Sequence, residues 1–124
     1  MGDFRKLLVW RKAHALALES HRTAAQIRGS LNASLRNQLA RAAQSVPANI
    51  VEGRGQKSER DFGRFLGYAL NSASELEYHL IVARDIGVIP ESEFISLTSQ
   101  LREVRKMLHG LLSSLTPPTS TRKG

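Results

Sequence analysis

The last third of the chain carries apolar side chains at steps of three and four: Phe94, Leu97, Leu101, Val104, Leu108, Leu111 and Leu115. A helix turns by about 100° per residue, so this spacing draws one apolar seam along a helix that packs on other helices. The same beat occurs three more times. Val9, Ala13, Leu16, Ser20, Thr23 and Ile27 mark one face of a helix predicted over 7–28. Leu35, Leu39, Ala42, Val46 and Ile50 do so in a helix starting at Asn32 or Ser34 and ending at Glu52. Phe62, Leu66, Ala69, Ala73, Leu76, Leu80 and Ala83 do so in a long helix over 58–86. No stretch alternates as a half-buried strand would, and no repeat of solenoid length is present. Gly29-Ser30, the loop Arg54 to Lys57, Gly87 to Pro90 and Pro117-Pro118 separate or stop the periodic stretches. Gly53 is placed to end the second helix as its C′ residue, Ser58 to cap the third with Asp61 three positions on, and Pro90 to open the fourth. The expectation is an all-α, antiparallel up-down-up-down four-helix bundle over residues 1–116, followed by a disordered tail over 117–124. Two helical hairpins that complete their core only in a dimer are the alternative.

The stretch from Gln38 to Gly53, QLARAAQSVPANIVEG, has more than one face to satisfy. Beside its apolar seam lies a polar stripe of Gln38, Arg41, Ser45, Asn49 and Glu52. These are short or hydrogen-bonding side chains rather than the Lys/Glu mixture of a solvated face, and they border the core, where polar groups need partners. A structural hydrogen-bond network, within or between subunits, is the expectation, with Arg41, Asn49 and Glu52 at least partly buried. On the other side lie Ala40, Ala43, Pro47 and Val51. Pro47 removes one helical donor and is expected to bend the helix. In the third helix Gly63 and Gly67 lie on a second face with Leu70 and Ser74. Glycine costs roughly 1 kcal/mol against alanine inside a helix, so a close backbone approach is expected there. Ala40, Ala43, Pro47, Gly63, Gly67, Leu70 and Ser74 are therefore the candidate faces between subunits of a homo-oligomer.

Composition narrows the chemistry. The chain has 124 residues, the size of one domain that can bury a core unaided. It has no cysteine, which excludes disulfides, thiolate metal sites and thiol catalysis and is compatible with a cytoplasmic setting. No apolar run approaches a membrane span, and the N-terminal stretch, interrupted by Arg11, Lys12 and His14, makes a poor secretion signal. Glu75 and His79 are four residues apart, not the three that a bundle metal site uses. No cofactor or metal is expected. The loop from Gly53 to Ser58 lacks phosphate-loop spacing, and no nucleophile, base and orienting group stand together. The chain is therefore read as no enzyme, with no small-molecule substrate and no membrane partner.

The run Gln-Leu-x-Arg-Ala-x-x-Ser-x-Pro-Ala-Asn-Ile-x-Glu-Gly at 38–53 resembles the four-helix bundle family named for proteins of 23S ribosomal RNA intervening sequences. Leu8 to Ala13, Phe62 to Ala69, Ser72 to Glu77 and Val104 to Leu108 resemble it as well, so the likeness spans nearly the whole chain. Tyr78 and Val51 depart mildly from the family pattern, where threonine and alanine are common. The resemblance implies a homopentameric ring and brings no established activity. It is distantly similar to the basic accessory variability proteins of diversity-generating retroelements, which contact nucleic acid and a reverse transcriptase.

The formal net charge is +7. Two functions follow: a non-enzymatic RNA- or DNA-binding accessory factor, or a protein-interaction scaffold whose charge is incidental. For the first, the candidate residues are Arg54, Lys57, Arg60 and Arg64, which flank the loop ahead of the third helix, with Arg122 and Lys123 in the tail assisting.

Overall fold

The computed structural model describes residues 2–115. Four long helices dominate it: α1 (Leu8–Ala25), α2 (Ala33–Arg54), α3 (Glu59–Asp85) and α4 (Glu91–Leu115). Short 3-10 turns at Phe4–Lys6 and Ser30–Asn32 lead into α1 and α2, and no strand occurs among the described residues. Each helix packs on its neighbours in sequence, and α4 returns to α1, with no close backbone approach between the diagonal pairs. The arrangement is an all-α bundle.

All four helices contribute to one core. Leu16, Leu39, Ile50, Phe62, Leu66, Leu76, Leu80, Leu97, Leu101 and Leu108 are fully enclosed. Each such side chain stabilises the fold by about 1.5–3 kcal/mol through burial. One chain closes this core, so no second hairpin is required to complete it. Every residue of the α1 seam from Val9 to Ile27, and every residue of the α3 seam from Phe62 to Ala83, is buried.

The helix ends show how the chain turns. Ser58 accepts a hydrogen bond from the Asp61 backbone N–H at 3.1 Å, capping α3 as its spacing predicts. At the other end of α3, Gly87 adopts φ +77°, Val88 N–H donates to the Ala83 carbonyl and Gly87 N–H to that of Arg84. This is the Schellman arrangement, which glycine reaches without strain. Pro90 stands just before α4, and its carbonyl accepts from the Phe94 N–H.

Gly53 departs from expectation. It does not end α2, which continues to Arg54. A Cβ at Gly53 would lie 2.8 Å from Phe65 Cβ and 2.9 Å from Phe62 Cδ1. The glycine is there because α3 crosses too close for a side chain. α2 also continues unbroken through Pro47.

The contacts fix which residues meet at each end. At one end, Gly2 lies against Arg54, Gly53 against Phe62, and Gly63 against Leu112. At the other, Arg36 Nη1 donates to the Ile27 carbonyl, Thr23 Oγ1 donates to Glu93, and the Arg84 guanidinium lies 4.2 Å from the Phe94 ring centre.

Candidate functional site

The first of these ends collects basic side chains from three separate parts of the chain. The N-terminal turn and the start of α1 bring Arg5, Lys6, Arg11 and Lys12, all exposed. The junction of α2 and α3 brings Arg54, Lys57, Arg60 and Arg64. The last turns of α4 add Lys106. Carboxylates are fewer there: Asp3, Glu52, Glu59 and Asp61, with Glu103 at the margin beside Lys12. Lys6, Lys57, Arg60 and Lys106 have no carboxylate partner among the described residues. The opposite end holds Arg22, Arg28, Arg36 and Arg84 against Glu19, Asp85, Glu91 and Glu93. Most of the excess positive charge among the described residues therefore sits at one end.

The four loop-flanking cations predicted as a site all fall on this basic end, but they are not alike. Lys57 and Arg60 are exposed at the start of α3. Arg54 is half-buried, with its guanidinium 5.5 Å from the Phe62 ring centre and against Gly2. Arg64 is held by its neighbours, with Nη1 donating to the Tyr68 hydroxyl at 3.3 Å and Nη2 to Asp61 at 3.4 Å. The Tyr68 hydrogen bond is the main cause that raises the Arg64 pKa above its ordinary value, and Asp61 adds to it. Arg122 and Lys123 lie outside the described residues.

The polar stripe divides. Ser45 and Ser72 share a 2.7 Å hydrogen bond across α2 and α3, and Asn49 Nδ2 donates to the Ser45 hydroxyl at 3.0 Å and to the Ser45 carbonyl at 2.9 Å. Gln38 donates to Ser34 Oγ within its own helix. Arg41 and Glu52 are exposed, contrary to their expected partial burial, because neither neighbouring helix covers that side of α2. Arg41 instead borders a shallow surface hollow with Gln44, Ser45 and Ala48.

The predicted subunit faces are likewise split. Ala43 is fully enclosed in the core of this chain and is not available to a neighbour. Pro47 is buried and Ala40 half-buried beside a groove between α1 and α2. Gly63 meets the Leu112 side chain, Gly67 has open space where a Cβ would stand, and no other backbone approaches either. Leu70 is half-buried and Ser74 exposed.

A second cluster at the basic end was not singled out from the sequence. Phe4 meets Trp10 edge to face at 5.0 Å, and Trp10 stacks on His14 at 4.9 Å with only 7° between the rings. The Arg5 guanidinium lies 4.9 Å from the Phe4 ring centre. His14 is exposed and also lines the α1/α2 groove, with Leu18, His21, Gln44 and Pro47 among the other walls. The i,i+4 spacing of Trp10 and His14 was the available signal. The return of Phe4 onto Trp10 depends on the 3-10 turn that precedes α1. Among the described residues, no three potential metal ligands come together, and no helix is long and apolar enough to cross a membrane.

Residues 5–110 match the model of a family described as 23S rRNA-intervening sequence protein. The fold is similar to a crystal structure from Bacteroides thetaiotaomicron, described as a protein of unknown function from the S23 ribosomal protein family. That likeness has a TM-score of 0.79 at 24% identity and covers 85% of this chain and 98% of the other. No curated protein matches the chain significantly.

Proposed function

The chain belongs to the 23S rRNA-intervening sequence protein family, and on that premise we propose that it is a non-enzymatic, oligomeric accessory protein that docks on the phosphates of RNA or DNA. The observation that carries this reading is the collection of exposed cations from the N-terminal turn, the α2–α3 junction and α4 at one end of the bundle. A field of one sign attracts a polyanion from solution and releases its counterions on contact. The helices run in an antiparallel up-down-up-down course in this reading. The contacts of Thr23 with Glu93 and Lys12 with Glu103 support it for α1 and α4, and those of Gly63 with Leu112 and Arg105 with Glu77 for α3 and α4. The copies assemble into a closed ring, a pentamer, through the small-residue faces at Ala40 and Pro47, beside the α1/α2 groove, and at Gly67 and Ser74. A ring repeats each weak phosphate contact and multiplies it by avidity. Such a protein would work in the cytoplasm, beside its nucleic acid.

Titration of labelled RNA and DNA at two salt concentrations tests the docking. Affinity is expected to fall steeply with salt, with little dependence on sequence. Reversing charge at Lys57 and Arg60 together is expected to weaken both nucleic acids. Absence of binding at low salt would overturn the reading. Light scattering on the eluting protein tests the ring, and a monomer at micromolar concentration would remove it.

The second reading is an interaction scaffold whose charge is incidental. The pairs Arg64–Asp61, Lys12–Glu103 and Arg105–Glu77 favour it, since paired cations have less to offer a polyanion.

A further inference from the structure

We propose that the Phe4–Trp10–His14 ring column is a stacking site for the unpaired bases of single-stranded nucleic acid, with the strand's phosphates held by Lys6 and Arg11. The site rests on the nucleic-acid reading above and narrows it to a strand class and to a surface apart from the α2–α3 loop.

Aromatic rings gathered to close the end of a core would be enclosed by it. Here none of the three rings is enclosed. Trp10 is half-buried at its centre, Phe4 is half-buried on one side, and His14 is exposed on the other. The 7° angle between Trp10 and His14 makes a flat two-ring stack. One side of the imidazole lies against the indole; His14 is exposed and lines the α1/α2 groove, so the proposed ring is received on the other side of the imidazole. A further flat ring laid there would continue the stack. Every nucleobase offers such a face when unpaired and unstacked, whereas a duplex keeps its faces inside.

The flanking charge fits a strand running past those rings. Lys6 and Arg11 are exposed and have no carboxylate partner among the described residues. Arg11 Nη1 donates to the Arg5 carbonyl at 3.3 Å, which ties it to the turn that carries Phe4. Asp3, the acidic residue of that turn, is already engaged, accepting from the Arg5 backbone N–H and side chain. Basic groups interleaved with rings are what single-strand sites use, phosphate contact for affinity and stacking for the choice of unpaired over paired bases.

His14 also forms a wall of the α1/α2 groove, whose volume is about 380 Å³. That is within the range of small-ligand clefts. Leu18 and Pro47 give it apolar walls, and Gln44 brings an amide that can both donate and accept. A base stacked on His14 would therefore have hydrogen-bonding groups within the same cleft.

The chain has one tryptophan, so its emission reports on the column directly. The full chain is titrated at low salt with a mixed-sequence RNA strand and with the duplex of the same sequence. The strand is expected to quench Trp10 and the duplex to leave it nearly unchanged. His14→Ala is expected to lower single-strand affinity about fivefold or more and to leave duplex affinity unchanged. His14→Phe, which keeps a ring, is expected to retain the strand preference. Lys6→Glu with Arg11→Glu is expected to weaken single-strand binding and flatten its salt dependence. Circular dichroism checks that each variant is folded. Strand binding unaffected by His14→Ala and by the paired charge reversal would overturn this site and leave the nucleic-acid reading standing. Absence of binding by strand and duplex alike would overturn both.

Discussion

Where α1 finishes and α4 begins, charge is settled across the seam. Thr23 donates to Glu93 at 2.7 Å, and Glu19 accepts from Ser96 at 3.1 Å and from Gln100 at 2.8 Å. Arg84 sits over the Phe94 ring and bonds Asp85. Where α1 starts and α4 ends, the cations are served differently. Arg54 and Arg5 lie over aromatic rings, Arg11 bonds a carbonyl, and Lys6, Lys57, Arg60 and Lys106 stand in solvent. At the first end Glu19 and Glu93 accept across the α1–α4 seam and cations and carboxylates balance in number, although Arg22, Arg28 and Glu91 have no side-chain partner among the described residues. The second leaves an excess of one sign exposed, with self-repulsion that does not help the fold. The proposed docking of nucleic acid rests on that exposed excess. The comparison is open to test, from its largest expected effect to its smallest.

Phe62 holds the basic end together. It is fully enclosed, supports Arg54 on its ring and fills the space opposite Gly53. Phe62→Ala is expected to cost about 3–5 kcal/mol of stability, by removal of the side chain and by the cavity left behind. Phe94 is half-buried at the opposite end, so Phe94→Ala is expected to cost less. Chemical denaturation of both variants measures this. Equal losses would mean that the two ends are anchored alike, and the contrast would then lie in charge alone.

Two glycines sharpen the same point. Gly53→Ala places a methyl 2.8 Å from Phe65 Cβ. The expected overpacking loss is about 1–3 kcal/mol, larger than the gain of about 1 kcal/mol in helix propensity. Gly67→Ala meets nothing within 4 Å in this chain, so it is expected to stabilise the monomeric bundle. If a second copy packs on Gly67, as the ring requires, the same substitution weakens assembly instead. Thermal melts read together with the eluted mass separate these outcomes.

Much of the bundle was legible because apolar periodicity reports burial directly. Each expected seam position from Val9 to Ile27 and from Phe62 to Ala83 is buried, while Ala17, Ala24 and His79 are buried as well and were not read from the spacing. What was not legible depends on how helices cross. Gly53 carries the local signal of a helix end, and only the approach of Phe62 and Phe65 reveals its real task. Arg41 and Glu52 share a stripe with Ser45 and Asn49, but α3 bonds only Ser45, through Ser72, and Asn49 joins by way of Ser45. The basic end could not be assembled from the sequence either, since Lys6, Lys57 and Lys106 are brought together only by the order in which the helices return.

At the end that is settled in charge, Thr23→Val removes the hydroxyl that Glu93 accepts from while keeping the side-chain shape. Thr23 is buried and Glu93 is half-buried, so water can replace part of the lost bond. The expected loss is about 1 kcal/mol, near the ordinary net value for one hydrogen bond. A loss near zero would mean that this seam is no better settled than the basic end.

The smallest effect belongs to the pair at the margin of the basic end. Lys12 Nζ and Glu103 Oε1 stand 3.5 Å apart, with side chains 45% and 53% exposed. Exposed pairs of this kind are worth at most about 1 kcal/mol, because water screens the attraction and two long side chains lose freedom. A double-mutant cycle with Lys12→Ala and Glu103→Ala is expected to give a coupling below about 0.5 kcal/mol. Glu103→Ala alone has a second consequence. It removes a carboxylate beside the cationic end and so raises the local positive potential. Nucleic-acid affinity at low salt is therefore expected to rise slightly, with stability almost unchanged, and the gain should vanish at high salt. A change in stability without any change in affinity would show that the pair acts within the fold alone, and that the exposed excess of charge ends short of Lys12.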